Sequence, residues 1–140
     1  VMHMAGNPQN MQEKPSYSDV VREIMKFFIQ QLKKCEDNGI NKERIIFDPG
    51  IGFGKTTEHN LDLLKSVKYL LSLERPIMIG ASRKSFISKI LKTNEMKERE
   101  WPTVALTSYC RELGASIFRV HNASDNFNAL RMTEAIINLK

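Results

Sequence analysis

Apolar residues follow two rhythms along this chain. Four short runs are almost continuously apolar and rich in β-branched residues: Val1-Met2-His3-Met4, Arg44-Ile45-Ile46-Phe47-Asp48, Ile77-Met78-Ile79-Gly80 and Ser116-Ile117-Phe118-Arg119-Val120-His121. Such runs are too short for helices and predict four strands. The segments between them carry apolar residues every three or four positions. Over residues 17–38 these are Val20, Val21, Ile24, Phe27, Phe28 and Leu32, the stripe of a half-buried helix. Ser16 or Ser18 is expected to cap its start, and Lys33 and Lys34 suit its negative end. Asn38-Gly39 then offers a left-handed stop. A second helix is expected over residues 58–72, capped by Thr57, with Leu61, Leu64, Val67, Leu70 and Leu71 turned inward. A short helix over 85–91 leads into a polar surface loop at 92–100. Pro102, placed in a first turn, opens another helix that closes before Gly114. Ser124-Asp125 is expected to cap the last helix, with Phe127, Leu130, Ile136 and Ile137 inward.

Strands this uniformly apolar are expected to be covered on both faces. Strand and helix in alternation imply parallel strands joined by right-handed crossovers. Four such units make an α/β architecture of half an eight-stranded (β/α)8 TIM barrel, a fold of roughly 250 residues when whole. A flavodoxin-like sheet would use the same units. The first residue is Val, already within an apolar run, so the chain is expected to be an excerpt of a longer protein.

Composition narrows the class. The chain has 21 Lys plus Arg against 16 Asp plus Glu, a net charge of +5, but the two signs are interspersed as on solvated helix faces. No aromatic-basic interleaving suggests a nucleic-acid platform. The surplus suits anionic small molecules. No apolar run approaches the ~18 residues of a membrane span. Cys35 and Cys110 lie far apart without ligand-spaced partners, which excludes a disulfide scaffold or zinc ribbon and suits the cytoplasm.

The chemistry gathers at the C-terminal ends of the expected strands, where α/β folds bind ligands. Met4 with Asn7, Asp48, Ser82 with Lys84, and Arg119 with His121 all fall there. The segment Asp48-Pro49-Gly50-Ile51-Gly52-Phe53-Gly54-Lys55-Thr56 resembles a P-loop. However, Pro49 occupies the position of the required first glycine and has no N–H with which to cradle phosphate. Two readings stay open for Asp48. It is either a pocket-floor carboxylate that accepts hydrogen bonds from an amino-heterocycle, with the glycines admitting a flat ligand, or a carboxylate capping its own glycine turn. Ser82-Arg83-Lys84-Ser85 places two cations and two hydroxyls ahead of a helix start, a candidate anion site. Arg119 and His121 fall on one side of a strand by period two and suit a phosphate or diphosphate. His3 and His59 read as packing or capping residues, and the cysteines as ordinary buried thiols.

Together these segments resemble the dihydropteroate synthase family. Val-Met-His-Met with Gly6, Asn7, Pro8, Met11 and Gln12 is similar to that family's loop after its fifth strand. Asp48 to Lys55 is similar to the sixth-strand motif, Ser82 to Ser85 to the seventh and Arg119-Val120-His121 to the eighth. The resemblance implies that residues 1–140 are βα units 5–8 of a pterin-binding barrel, with the N-terminal half absent. It also implies condensation of 6-hydroxymethyl-7,8-dihydropterin diphosphate with p-aminobenzoate, giving 7,8-dihydropteroate and diphosphate in folate biosynthesis, a step that sulfonamides target.

By motif, Asp48 would bind the amino-pyrimidine edge and Lys84 the ring system. Arg119 would lie along the pterin and, with His121, hold the departing diphosphate. Lys84, Arg119 and His121 would carry catalysis. Phe53 and Ser85 would contact p-aminobenzoate, and Met4 would line the pterin pocket. Gly52, Ser82 and Arg83 complete the expected substrate-binding set. Mg2+ is implied with its ligands in the absent half and none in these residues. The 140 residues alone are expected to be inactive and to self-associate, as a homodimer or paired half-barrels, through unpaired strand edges. The competing readings are a pterin-binding methyltetrahydrofolate methyltransferase-type barrel and a folded fragment without catalysis.

Overall fold

The computed structural model describes residues 1–6 and 15–139. Asn7, Pro8, Met11 and Gln12 of the first motif lie outside the described residues. Two strands, β1 (Met78–Ile79) and β2 (Ile117–Phe118), run parallel with Met78 opposite Ile117 and Ile79 opposite Phe118. The ladder continues beyond β1 as single parallel bridges, Phe47 with Ile77 and Met2 with Asp48. Backbone bonds run through all of it: Arg119 N–H to the Ile79 carbonyl at 3.0 Å, Met78 N–H to Phe47 at 2.8 Å, and His3 N–H to Asp48 at 3.0 Å. Of the four apolar runs expected as strands, two are regular strands, the first pairs through a single bridge, and the second is bridged once to each neighbour.

The two faces of this ladder differ. Ile45, Phe47, Ile77 and Ile79 point to one face and are at most 5% exposed. They meet helix residues there, with the Phe28 and Phe47 rings stacked 4.3 Å apart. On the opposite face Ile46 is 40% exposed and Met2 39%, and no described element covers them. The expectation of burial on both faces is therefore met on one. Parity assigns Asp48, Gly80 and Arg119 to the open face, because Asp48 follows Ile46, Gly80 follows Met78 and Arg119 follows Ile117 by two positions.

Six helices follow the expected order, with altered ends. The first, α1 (Val20–Asp37), buries Val20, Ile24, Met25 and Phe28 against the sheet. Its cap is Asp19, whose Oδ1 accepts the Arg22 N–H at 3.0 Å, not Ser16 or Ser18. Glu23 Oε1 reaches back to accept the Ser18 N–H at 2.8 Å and the Asp19 N–H at 3.3 Å, closing a reciprocal cap. Gly39, at φ +75°, terminates α1 as expected, donating to the Glu36 carbonyl.

The second expected helix is broken at Ser66. It comprises α2 (Thr57–Lys65), α3 (Val67–Leu70) and a 3-10 turn over Leu71–Leu73. Thr56, one residue earlier than expected, caps α2 in a reciprocal pair with His59. The buried stripe runs through Asn60, Leu63, Leu64, Val67 and Leu70, so Leu61, expected inward, lies off it and is 43% exposed.

Helix α4 (Ser85–Leu91) has its expected bounds. A 3-10 turn at Lys97–Arg99 within the expected loop leads into α5 (Glu100–Glu112). The last helix, α6 (Ala123–Ile137), is capped by Asn122, whose Oδ1 accepts the Asp125 N–H, and not by Ser124 or Asp125. Its buried residue is Asn126, which accepts the Thr107 hydroxyl at 2.7 Å from α5. Phe127, Ile136 and Ile137, expected inward, are exposed, and α6 instead meets α5 through this polar pair and the Arg111–Glu134 ion pair.

Candidate active site

The turn that follows Phe47 is built around its own carboxylate. Asp48 Oδ1 accepts the Gly50 N–H at 2.7 Å, and Phe53 N–H closes the turn on the Gly50 carbonyl at 3.0 Å. Gly50 sits at φ +68°, and any side chain there would run into the His3 carbonyl. The first segment therefore passes against bare backbone. Burial raises the pKa of Asp48; the Gly50 N–H, Arg119, Lys84 and Lys55 oppose that shift. The turn-capping reading of Asp48 is met by Oδ1, while Oδ2 makes no hydrogen bond among the described residues.

Two residues absent from the expected site set hold this turn in place. Asn60, 2% exposed in α2, accepts the Gly52 N–H at 2.7 Å and donates to the Thr56 carbonyl at 2.7 Å. Lys55, 4% exposed, donates to the Phe53 carbonyl at 2.9 Å and meets His3 Nδ1 at 3.2 Å. Burial chiefly lowers the Lys55 pKa to about 8. Burial, with Lys55 beside it, lowers that of His3 to about 4, so the ring is neutral and accepts the lysine proton. His3 also stands edge-on to Phe27, the packing role expected of it, and His59 caps α2. The Gly-Lys-Thr letters could have drawn attention to Lys55. Its function as a staple depends on a partner more than fifty residues away in sequence.

Across from this turn lies a cavity of about 340 Å3 lined by Gly80, Ser82, Lys84, Arg119, Val120 and His121. Lys84, between β1 and α4, lays its ammonium 3.8 Å from the Phe53 ring centroid, a cation-π contact that joins the two loops. Its aliphatic stem fits because Gly52, at φ +79°, leaves no Cβ in the way. Burial, then the Arg119 charge, lowers the Lys84 pKa. The Arg119 guanidinium extends over Gly80 and makes no hydrogen bond or ion pair among the described residues. β2 ends at Phe118, so strand alternation does not by itself fix His121; Val120 lines the cavity as well. Ser82 Oγ lies 2.8 Å from His121 Nδ1 and accepts the His121 backbone N–H at 3.2 Å.

Asp48, Gly52, Phe53, Ser82, Lys84, Arg119 and His121 are thus brought to one rim. Arg83 does not join them. Its φ is +56°, its guanidinium pairs with Glu100 at the start of α5, and its N–H donates to the Thr103 hydroxyl. Ser85 is exposed on the first turn of α4, and Met4 is half-buried beside the turn; neither lines the cavity. Among the described residues, no three His, Cys, Asp or Glu side chains gather as a metal site. Mg2+ would find no such cluster among these residues. No helix among them is long and apolar enough to cross a membrane.

A buried carboxylate and the cations Lys84 and Arg119, gathered around Gly52 and Gly80 at the carboxyl edge of a parallel sheet, are surroundings in an α/β protein that suit a flat, anionic ligand. The comparisons identify which kind. A family model described as "Pterin binding enzyme" matches residues 1–121, and the chain belongs to that family. It is 40% identical over 140 residues to the dihydropteroate synthase of Escherichia coli K12, covering 100% of this chain and 49% of that protein. Its identity to the Synechocystis dihydropteroate synthase is 42% over 138 residues, covering 97% and 47%. The Yersinia pestis dihydropteroate synthase solved with a sulfonamide drug superposes with a TM-score of 0.95 at 37% identity, over 99% of this chain and 50% of that one. The Xanthomonas albilineans enzyme in complex with 7,8-dihydropteroate gives 0.90 at 32% identity, over 99% and 50%. The chain spans about half the length of the curated relatives it matches.

Proposed function

We infer that these residues form the C-terminal half of a dihydropteroate synthase site, joining 6-hydroxymethyl-7,8-dihydropterin diphosphate to p-aminobenzoate. The observation that carries this reading is the approach of Asp48, Lys84 and Arg119 within one electrostatic neighbourhood, with His121 on the same cavity. Asp48 Oδ2 accepts N–H bonds from the amino-pyrimidine edge, and Lys84 leaves Phe53 to bond the ring. The methylene C–O bond then breaks, and its electron pair departs with the diphosphate. Arg119, His121 and Lys84 stabilise the departing charge, while the electron-rich dihydropterin ring stabilises the cationic methylene. The arylamine nitrogen attacks that carbon and releases a proton. Phe53 and Ser85 receive p-aminobenzoate, and Met4 lines the pterin pocket. No dedicated nucleophile is required; orientation and charge do the work.

Several further features belong to the same reading. The open sheet face bearing Ile46, Asp48, Met78 and Arg119 becomes the interior of a closed (β/α)8 barrel, supplied with its other strands by residues outside this chain. Mg2+ would take its ligands there as well. The two unpaired ends of the ladder favour self-association when the half-barrel stands alone, and the working protein is cytoplasmic. The methyltransferase-type reading loses ground because such a site needs a pterin-binding acid but no cluster of Lys84, Arg119 and His121. Calorimetric titration of the protein at its native length tests the proposal. Pterin diphosphate is expected to bind more tightly than the same pterin without diphosphate. Equal affinities would refute the anion site, and no binding of either would leave a folded chain without this activity.

A further inference from the structure

We propose that Ser82 is a positioning residue that fixes the tautomer of His121, so that the imidazole offers an Nε2–H donor to the departing diphosphate. The inference rests on the synthase reading of this cavity and assigns to Ser82 a role other than direct substrate contact. Ser82 is 5% exposed, and its Oγ is engaged twice by one residue. It accepts the His121 backbone N–H at 3.2 Å and lies 2.8 Å from Nδ1 of the same side chain.

A serine hydroxyl has one proton to give and two lone pairs to fill. The backbone N–H takes one lone pair. Among the described residues, Nδ1 is the one hydrogen-bonding partner in position to receive the hydroxyl proton. Were Nδ1 to carry the ring hydrogen, Oγ would accept from both nitrogens and its own proton would have no partner among the described residues, an unfavourable state for a serine only 5% exposed. The hydroxyl therefore donates to Nδ1, and the neutral ring must hold its hydrogen on Nε2. His121 lines the cavity with Lys84 and Arg119, so its free edge presents a donor to an anion. The other tautomer would present a lone pair and repel phosphate oxygens. The logic is that of an orienting group in a catalytic triad, where the partner of one imidazole nitrogen decides what the other can do.

The test uses 15N-labelled protein at its native length, with the His121 ring nitrogens observed by NMR well above the ordinary imidazole pKa. The native protein is expected to show a protonated Nε2 and an acceptor Nδ1, and this measurement needs no variant. In Ser82→Ala the two tautomers are expected to mix, and inorganic diphosphate to bind about tenfold more weakly. A pterin lacking diphosphate should keep its affinity within about twofold, since Ser82 does not touch it in this scheme. Ser82→Thr, which retains the hydroxyl, restores both the signature and diphosphate affinity. A hydrogen on Nδ1 in the native protein overturns the inference, as does a tautomer signal that Ser82→Ala leaves unchanged. If diphosphate fails to bind while Nε2 is protonated, the synthase reading falls and the Ser82–His121 assignment stands.

Discussion

The two sides of the rim are built in opposite ways. On the carboxylate side, the turn over residues 48–56 is tied at nearly every polar atom: Gly50 to Asp48, Gly52 to Asn60, Phe53 to Lys55, and Gly54 to the Tyr17 hydroxyl at 3.0 Å. On the cationic side, the Arg119 guanidinium makes no hydrogen bond or ion pair among the described residues and Lys84 rests on an aromatic face. The first side is a preformed mould, whose shape comes from bonds internal to the protein. The second is a reserve of unspent charge. A rigid heterocycle and a departing anion make different demands, and each side meets one of them.

Substitutions should separate the two sides cleanly. The largest effect is expected from Arg119→Ala or Lys84→Ala at native length, each lowering kcat/KM by about 2–4 kcal/mol in transition-state stabilisation. The urea midpoint of either variant should stay near that of the parent; a large loss of stability would erase the contrast. Lys55→Met addresses the mould through pH. Because the pKa of Lys55 falls from 10.5 to about 8 on folding, the unfolded chain holds the extra proton between those values. Stability is therefore expected to rise with pH across that window in the parent and to lose this rise in the variant, as read by denaturant midpoints. Asn60→Ala removes both the acceptor of the Gly52 N–H and the donor to the Thr56 carbonyl, and is expected to lower stability by about 1–3 kcal/mol while leaving inorganic diphosphate affinity intact. The smallest effect belongs far from the rim: Trp101, 72% exposed, should tolerate Ser with a change under about 0.5 kcal/mol in unfolding free energy.

How much of this was legible in the letters depended on how local the cause was. The α1 stripe, the Gly39 stop and the bounds of α4 follow from spacing and turn chemistry within a few residues, and sequence reading finds them. Capping falls one position from the expected residue at Asp19 and Thr56 and two from Ser124 at Asn122, because each lies near other residues able to cap and only the actual backbone bend selects among them. The Ser66 break escaped notice since Leu61, Leu64, Val67, Leu70 and Leu71 continue an unbroken helical period. The approach of Asp48, Lys84 and Arg119 is readable because the segments ending in them lie side by side in one ladder. Arg83 was misplaced on that rim because a left-handed backbone turns it toward Glu100, which no spacing announces. Lys55 and Asn60 were overlooked for a related reason. One failed a motif test, the other belongs to none, and both act through contacts that exist only after folding.

The carboxylate and the guanidinium stand on the same sheet, Asp48 one bridge from Met2 and Arg119 just past the rung that joins Ile79 to Phe118. Their separation is consequently ruled by interstrand spacing and not by the wandering of surface loops. A groove assembled this way lasts as long as the hydrogen-bonded ribbon beneath it, and fraying at either margin would blunt recognition before any side chain there had been altered.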